Sequence, residues 1–287
     1  MADRVCRRLL AAVAACLVAG LVGCSGTAAG VNAAGPPPAP PPTSAVPVPA
    51  APVRVLQLNL CNSGIAGCYT GRSIDEAAAL LRTETPDLVT LNEVCEDDVS
   101  TLERALARAV PGGKVVSTFQ AARDRDTGDA YRCRNGQRFG NGIVSRWPSV
   151  PESSSGSGIY PIQDPEDPEE RAWVCLEVAA TPAVAVCTTH LAYITREVTV
   201  DQCRYLFDTV IGGMRARDRA APLVLGADLN LGSGEDLESC LPAGSAFADD
   251  GGVQLVVATS EFVVDGSRTI DLRDTDHPGL LVTLARR

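Results

Sequence analysis

Apolar and polar positions divide the chain into three stretches. Residues 9–22 form an uncharged apolar run behind Arg4, Arg7 and Arg8, long enough for the core of an export signal and short for a membrane span. Residues 25–52 are almost wholly Gly, Ala, Ser, Thr, Val and Pro, with two Pro triplets at 36–38 and 40–42. Nothing there can bury a core, which predicts an extended linker. From residue 53 onward, short apolar runs alternate with amphipathic ones. Strands are predicted over 53–59, 87–93, 142–146, 172–179, 183–189, 222–228, 252–258 and 280–284, and helices over 73–82, 99–110 and 199–217. Ser73, with Glu76 three residues on, reads as the N-cap of the first helix. Strand pairs joined by short turns, mixed with helical crossovers, predict an α+β domain over 53–287 with packed sheets and outer helices.

The polar residues that interrupt this pattern fall repeatedly at strand ends. The chain has only two histidines. His190 closes one apolar strand, and His277 follows Asp276 just before the last one. Asp228 and Asn230 close another strand, and Asn59 and Glu93 end two more. Each alone is an ordinary turn or capping residue. Together they furnish what a site at a sheet rim needs. Phosphodiester hydrolysis asks for a cation to neutralise phosphate charge. Mg²⁺ takes oxygen ligands and few carboxylates, which Glu93 and Asp276 supply, with Mn²⁺ or Ca²⁺ as alternatives. An attacking water needs a His or Asp to orient and deprotonate it, and Asn side chains position phosphate without adding negative charge.

Six segments occur in an order that resembles the deoxyribonuclease-like endonuclease/exonuclease/phosphatase superfamily. They are Leu58-Asn59, Leu91-Asn92-Glu93-Val94, Gly140-Asn141-Gly142-Ile143-Val144-Ser145-Arg146, Thr188-Thr189-His190-Leu191, Gly226-Ala227-Asp228-Leu229-Asn230 and Thr275-Asp276-His277-Pro278-Gly279. The resemblance spans the whole of 53–287. It implies a four-layer α/β/β/α sandwich with two packed mixed sheets. It also implies roles: Asn59, Glu93 and Asp276 near a catalytic metal, and His190 on the scissile phosphate. Asp228 corresponds to the residue that orients or activates the water, Asn230 to its phosphate-binding neighbour and His277 to an acid/base or phosphate-polarising group. Asn141 and Arg171 correspond to phosphate contacts in some members, although Arg171, after Glu169-Glu170, also reads as a surface arginine. One departure stands out. Many members pair the last histidine with an Asp in the penultimate strand, where this chain has Gln254. A Gln cannot stabilise an imidazolium as a carboxylate does; Asp249, Asp250 and Asp271 are the candidate substitutes.

Cysteine usage and charge bear on location and substrate. Of eleven cysteines, Cys6 and Cys16 lie in the signal, and Cys24 ends a Leu21-Val22-Gly23-Cys24 segment resembling a bacterial lipobox. The remaining eight suit a disulfide framework, with Cys61–Cys68 and Cys175–Cys187 the pairs that proximity proposes. No CxxC pair occurs, which argues against zinc. Net charge is −10; loss of residues 1–24, with three Arg and one Asp, takes it to −12. Such a surface does not steer toward polyanions. The expectation is an exported cell-surface lipoprotein, or else a secreted protein. It is read as a monomer hydrolysing phosphodiester bonds, with a nuclease slightly ahead of a phospholipid or small-molecule phosphodiesterase or phosphatase. A catalytically silent binding lipoprotein and a structural cell-envelope protein are the competing readings.

Overall fold

A computed structural model describes residues 51–151, 155–217, 221–232 and 234–287. The expected signal, Cys24 and nearly all of the linker lie outside the described residues. In chain order the domain reads β1 (Val53–Asn59), α1 (Ser73–Glu84), β2 (Leu88–Cys95), α2 (Glu96–Ala109), β3 (Val116–Ala121), β4 (Arg123–Asp124), β5 (Phe139–Ser145), β6 (Gly156–Ile159) and β7 (Glu169–Glu170). Next come β8 (Ala172–Val178), β9 (Val184–Thr189), and a helix built of α3 (Arg196–Arg204), a π-helical segment (Tyr205–Ile211) and α4 (Gly212–Arg217). The chain ends with β10 (Leu223–Asp228), α5 (Glu235–Glu238), β11 (Ala246–Asp249), β12 (Gln254–Ala258), β13 (Phe262–Ile270) and β14 (Gly279–Arg286).

Two six-stranded mixed sheets result, in the orders β13-β14-β1-β2-β5-β3 and β11-β12-β10-β9-β8-β6. Each is built on one parallel pair. β1 runs parallel to β2 and antiparallel to β14. β10 runs parallel to β9 and antiparallel to β12. Alternation along the strands assigns the layers. In β1, Val53 and Val55 join a core shared with Val174, Val186, Val224 and Val256 of the other sheet, whereas Leu56 and Leu58 pack with Ala77, Leu81, Leu102 and Leu106 of α1 and α2. Leu223 and Leu225 of β10 face Leu206, Phe207 and Ile211 of the long helix. Helix, sheet, sheet, helix is the four-layer arrangement expected.

The end of the inter-sheet core toward the strand termini turns polar. Gln57, Thr90, Asn92, Asn141, Thr188 and Gln254 are all buried there, and they satisfy one another. Gln57 Nε2 donates to Asn92 Oδ1 at 2.7 Å, and Thr90 Oγ1 donates to Gln57 Oε1 at 2.6 Å. Asn92 Nδ2 donates to Asn141 Oδ1 at 2.8 Å and to the Thr189 carbonyl at 2.9 Å. A satisfied buried network is the condition under which such groups do not penalise the fold. Gly226 makes it possible: a Cβ there would stand 2.1 Å from Thr90 Oγ1.

The expected N-cap at Ser73 is not formed. Arg72 occupies the N-cap and no side chain caps it. Glu76 instead accepts the backbone N–H groups of Arg273 and Asp274, so its carboxylate holds the loop before β14 rather than closing a capping box.

Candidate active site

The C-terminal ends of the two parallel pairs meet over the polar layer. β1 delivers Asn59, β2 Glu93, β9 His190 and β10 Asp228. Asn230 follows β10, and Asp276 and His277 sit in the turn before β14, which Thr275 fastens by donating its hydroxyl to the Asn59 carbonyl at 2.9 Å. All of these except Asn59 line one cavity of about 410 Å³, together with Arg171, Asp167, Glu169, Tyr131 and Tyr193. A cavity of similar size, about 420 Å³, lies between the π-helical segment and β12. It holds none of these residues.

Backbone geometry marks the same place. Glu93, Asn230 and Cys61 have φ of 55°, 51° and 43°, a left-handed conformation that costs a side-chain-bearing residue about 1 kcal/mol or more. The register of β2 against β5 slips between Leu91 and Val94, a bulge that turns Glu93 out of the ladder.

Asn59 lies behind the cavity wall and ties two of its carboxylates together. Its Nδ2 donates to Glu93 Oε1 at 2.9 Å and to Asp228 Oδ2 at 3.1 Å, and its Oδ1 accepts the Cys61 N–H at 3.2 Å. Asp228 Oδ1 accepts the Asn230 N–H at 3.1 Å, while Asn230 Nδ2 donates to the Leu191 carbonyl at 2.8 Å. His277 Nε2 lies 3.8 Å from Asp228 Oδ2 and 3.9 Å from Asp276 Oδ1. Burial raises the Glu93 carboxyl above its usual range, and the like charges of Asp228 and Asp276 push it further. Burial also raises Asp228, against the pull of the Asn59 hydrogen bond and the His277 charge.

Arg171 is a buried residue, so the surface reading is overturned. Its Nη2 donates to Asp167 Oδ2 at 2.7 Å, and Nη1 lies 3.3 Å from Glu169 Oε1. Nη1 also lies 3.0 Å from His190 Nδ1. A guanidinium has donors only, so Nδ1 must accept. The ring is then neutral, with its proton on Nε2. Burial, followed by the Arg171 and His277 charges, agrees by holding His190 well below the ordinary histidine range.

Two other expectations change. Asn141 does not line the cavity; its amide is spent on the Ala172 carbonyl at 3.0 Å and on Asn92. Gln254 does not contact the His277 ring. Its Oε1 accepts the Asn59 N–H at 2.9 Å, and its Nε2 donates to the Pro278 carbonyl and to Asp250 Oδ2. It steadies the backbone on both sides of the site, while the carboxylate nearest the ring is Asp228. Sequence reasoning missed Asn92, which accepts the Asp228 N–H at 2.9 Å, and the Asp167–Glu169 pair around Arg171.

The cysteines pair as Cys61–Cys68, Cys95–Cys133, Cys175–Cys187 and Cys203–Cys240. The first and third are the two expected. Cys61, Cys68 and Glu93 bring possible ligand atoms within 4.8 Å of one another, but both sulfurs are spent in the disulfide. The fitting donors are instead hard oxygens. Glu93 and the half-exposed Asp276 present carboxylates beside a third, Asp228, an excess of negative charge that suits Mg²⁺ with water and phosphate completing its shell.

A model of the Endonuclease/Exonuclease/phosphatase family matches residues 56–277. The chain belongs to that family. Its members are hydrolases of phosphoesters and generally depend on a divalent metal. Solved structures agree on the fold. An endonuclease/exonuclease/phosphatase from Beutenbergia cavernae is 22% identical, with a TM-score of 0.63 over 82% of this chain and 72% of that one. TDP2 of D. rerio, in complex with single-strand DNA product, is 16% identical, with a TM-score of 0.57 over 81% and 98%. The mannosyl-6-phosphatase Bt3783 of Bacteroides thetaiotaomicron is 15% identical, with a TM-score of 0.56 over 81% and 99%. No curated protein matches the sequence.

Proposed function

We propose that this family member is an exported Mg²⁺-dependent phosphoesterase that cleaves its ester at the cavity shared by Glu93, His190 and Asp228. The observation that carries the reading is the 3.0 Å contact of Arg171 Nη1 with His190 Nδ1, which leaves Nε2 as the ring's donor in a cavity that also holds the carboxylates of Glu93, Asp228 and Asp276. When bound, the cation supplies charge neutralisation for the phosphate and leaving oxygen; Glu93 and Asp276 would hold it, steadied by Asn59. His190 donates from Nε2 to a phosphate oxygen. Asp228 orients the attacking water and takes its proton, which its raised affinity for protons favours. His277, close to Asp228 and partly open to solvent, serves the leaving oxygen. Asn230, held by Leu191, lines the phosphate end of the cavity.

A compact ester suits the cavity better than a long nucleic acid. Among the described residues, Arg171 is the one Lys or Arg on its wall, and Asp167 and Glu169 already balance it. Flanking phosphates of a polymer would find no cation there. Four disulfides among the described residues support export to an oxidising compartment, with Cys24 as the proposed lipid attachment.

The test uses the full chain with disulfides formed. It is assayed on p-nitrophenyl phosphate, its bis ester, plasmid DNA, RNA and sphingomyelin, with Mg²⁺ or with EDTA. At least one ester is hydrolysed only with metal, and His190→Ala and Asp228→Ala each lower kcat about 10²-fold or more. Equal rates in EDTA refute the metal dependence. A wild-type chain inert on every substrate refutes the phosphoesterase reading and favours the binding protein.

A further inference from the structure

The two most exposed large apolar side chains among the described residues, Tyr193 and Ile65, both line the candidate active-site cavity. Among the described residues, the exposed ones are Ile65, Tyr69, Ile162, Tyr193, Ile194 and Phe247. Ile65 and Tyr193 line the catalytic cavity itself. Tyr69 follows Cys68 of the cavity wall, and Ile194 follows Tyr193. The Ile162 carbonyl accepts from Gln202 Nε2 while the Ala192 N–H donates to Gln202 Oε1, at 2.8 and 2.9 Å, so Ile162 stands against the Tyr193 loop. Phe247, on edge strand β11, is the one outlier. Scattered exposed apolar residues need no explanation. Here two of the six, Ile65 and Tyr193, line one charged cavity, which does.

Tyr193 is the most exposed of them, at 64 %, against 54 % for Ile65. Its ring lies 5.6 Å from the Arg171 guanidinium, which itself holds His190. The aromatic surface is thus two residues removed from the atom proposed to meet the phosphate, and its position is fixed by a cation–π contact. Leaving so much ring in water is unfavourable unless something planar covers it when substrate binds.

We infer that Tyr193 is a specificity-determining residue that stacks a planar aromatic group, an aryl ring or a nucleobase, attached to the phosphoester. The inference rests on the phosphoesterase reading above and adds the class of substituent. Ile65 borders the same cavity and supplies a second apolar surface for that group. The scissile phosphate lies at the His190 end, and the planar group lies over Tyr193.

Calorimetry on the full chain with Mg²⁺ tests it, using phenylphosphonate and methylphosphonate, whose C–P bonds resist hydrolysis. Wild type binds the phenyl compound about tenfold more tightly, a conservative value for one aromatic stack. In Tyr193→Ala this ratio falls toward one; in Tyr193→Phe it persists. Equal affinities in wild type overturn the inference. So does Tyr193→Ala weakening both ligands alike, which would make Tyr193 only a prop for Arg171. The two readings fail separately. If methylphosphonate binds or esters turn over without an aryl preference, only the role of Tyr193 falls. If neither phosphonate binds and no ester is cleaved, the phosphoesterase reading falls with it.

Discussion

Arg171 faces Asp167 at 2.7 Å and Glu169 at 3.3 Å, one cation between two anions in a nearly dry setting. The unbalanced charge falls on Glu169, whose carboxyl is pushed up to about 7 by burial, with Asp167 and Glu93 adding repulsion and Arg171 opposing them. In the unfolded chain the same group titrates near 4.3. The folded state therefore prefers the protonated form. The stability contributed by Glu169 is complete below about pH 4.3 and is lost as pH rises through about 7. The full span is worth up to about 4 kcal/mol. Replacing Glu169 with Gln removes the titration, so the decline in Tm between about pH 4 and about 7 becomes shallower than in wild type. Thermal melts in EDTA, where no bound cation adds a pH dependence of its own, make the comparison, and parallel pH profiles would refute it. Such residues escaped the sequence because Asp167 and Glu169 sit in an acidic loop with no periodicity. His190 and Asp228 were legible for the opposite reason: each is a polar residue placed where an apolar strand stops.

The strands read correctly from sequence are those buried on both faces. Those it missed include all four sheet edges, β3, β6, β11 and β13. β13 reads Phe-Val-Val-Asp-Gly-Ser-Arg-Thr-Ile and is exposed over most of its length, and β3 is only partly buried until Ala121. An edge strand with little burial leaves no apolar run or alternation to detect. The close contact between the sheets was equally hidden, since nothing local in Leu225-Gly226-Ala227 says that Thr90 of the opposite sheet presses on the glycine. Gly226→Ala drives a methyl into Thr90 Oγ1, and an overpacking cost of about 1–3 kcal/mol is expected in urea unfolding. Thr90→Ala removes the obstructing hydroxyl, so the double variant should be less destabilised than the two single changes added together. Strict additivity would show that the sheets separate by another route. Gly226 lies two residues before Asp228, so the same pair reports whether sheet spacing sets catalytic geometry.

The whole molecule has two unlike ends. β1 enters at Val53 among apolar inter-sheet residues and reaches the site at Asn59. Seven residues of strand at about 3.3 Å each put that entry roughly 20 Å from the catalytic cavity. The 28 residues of 25–52, at about 3.1 Å per residue when extended, span up to roughly 85 Å, ample clearance for a domain of this size. If Cys24 carries the lipid, wild type partitions into the detergent phase and Cys24→Ala into the aqueous phase. The described residues that line the cavity begin at Ser63, so kcat and KM on a soluble ester should agree between the two forms within a factor of about two. Wild type found in the aqueous phase would discard the anchor and leave simple secretion. A large change in KM between the two forms would instead mean that the N-terminal segment acts on the cavity.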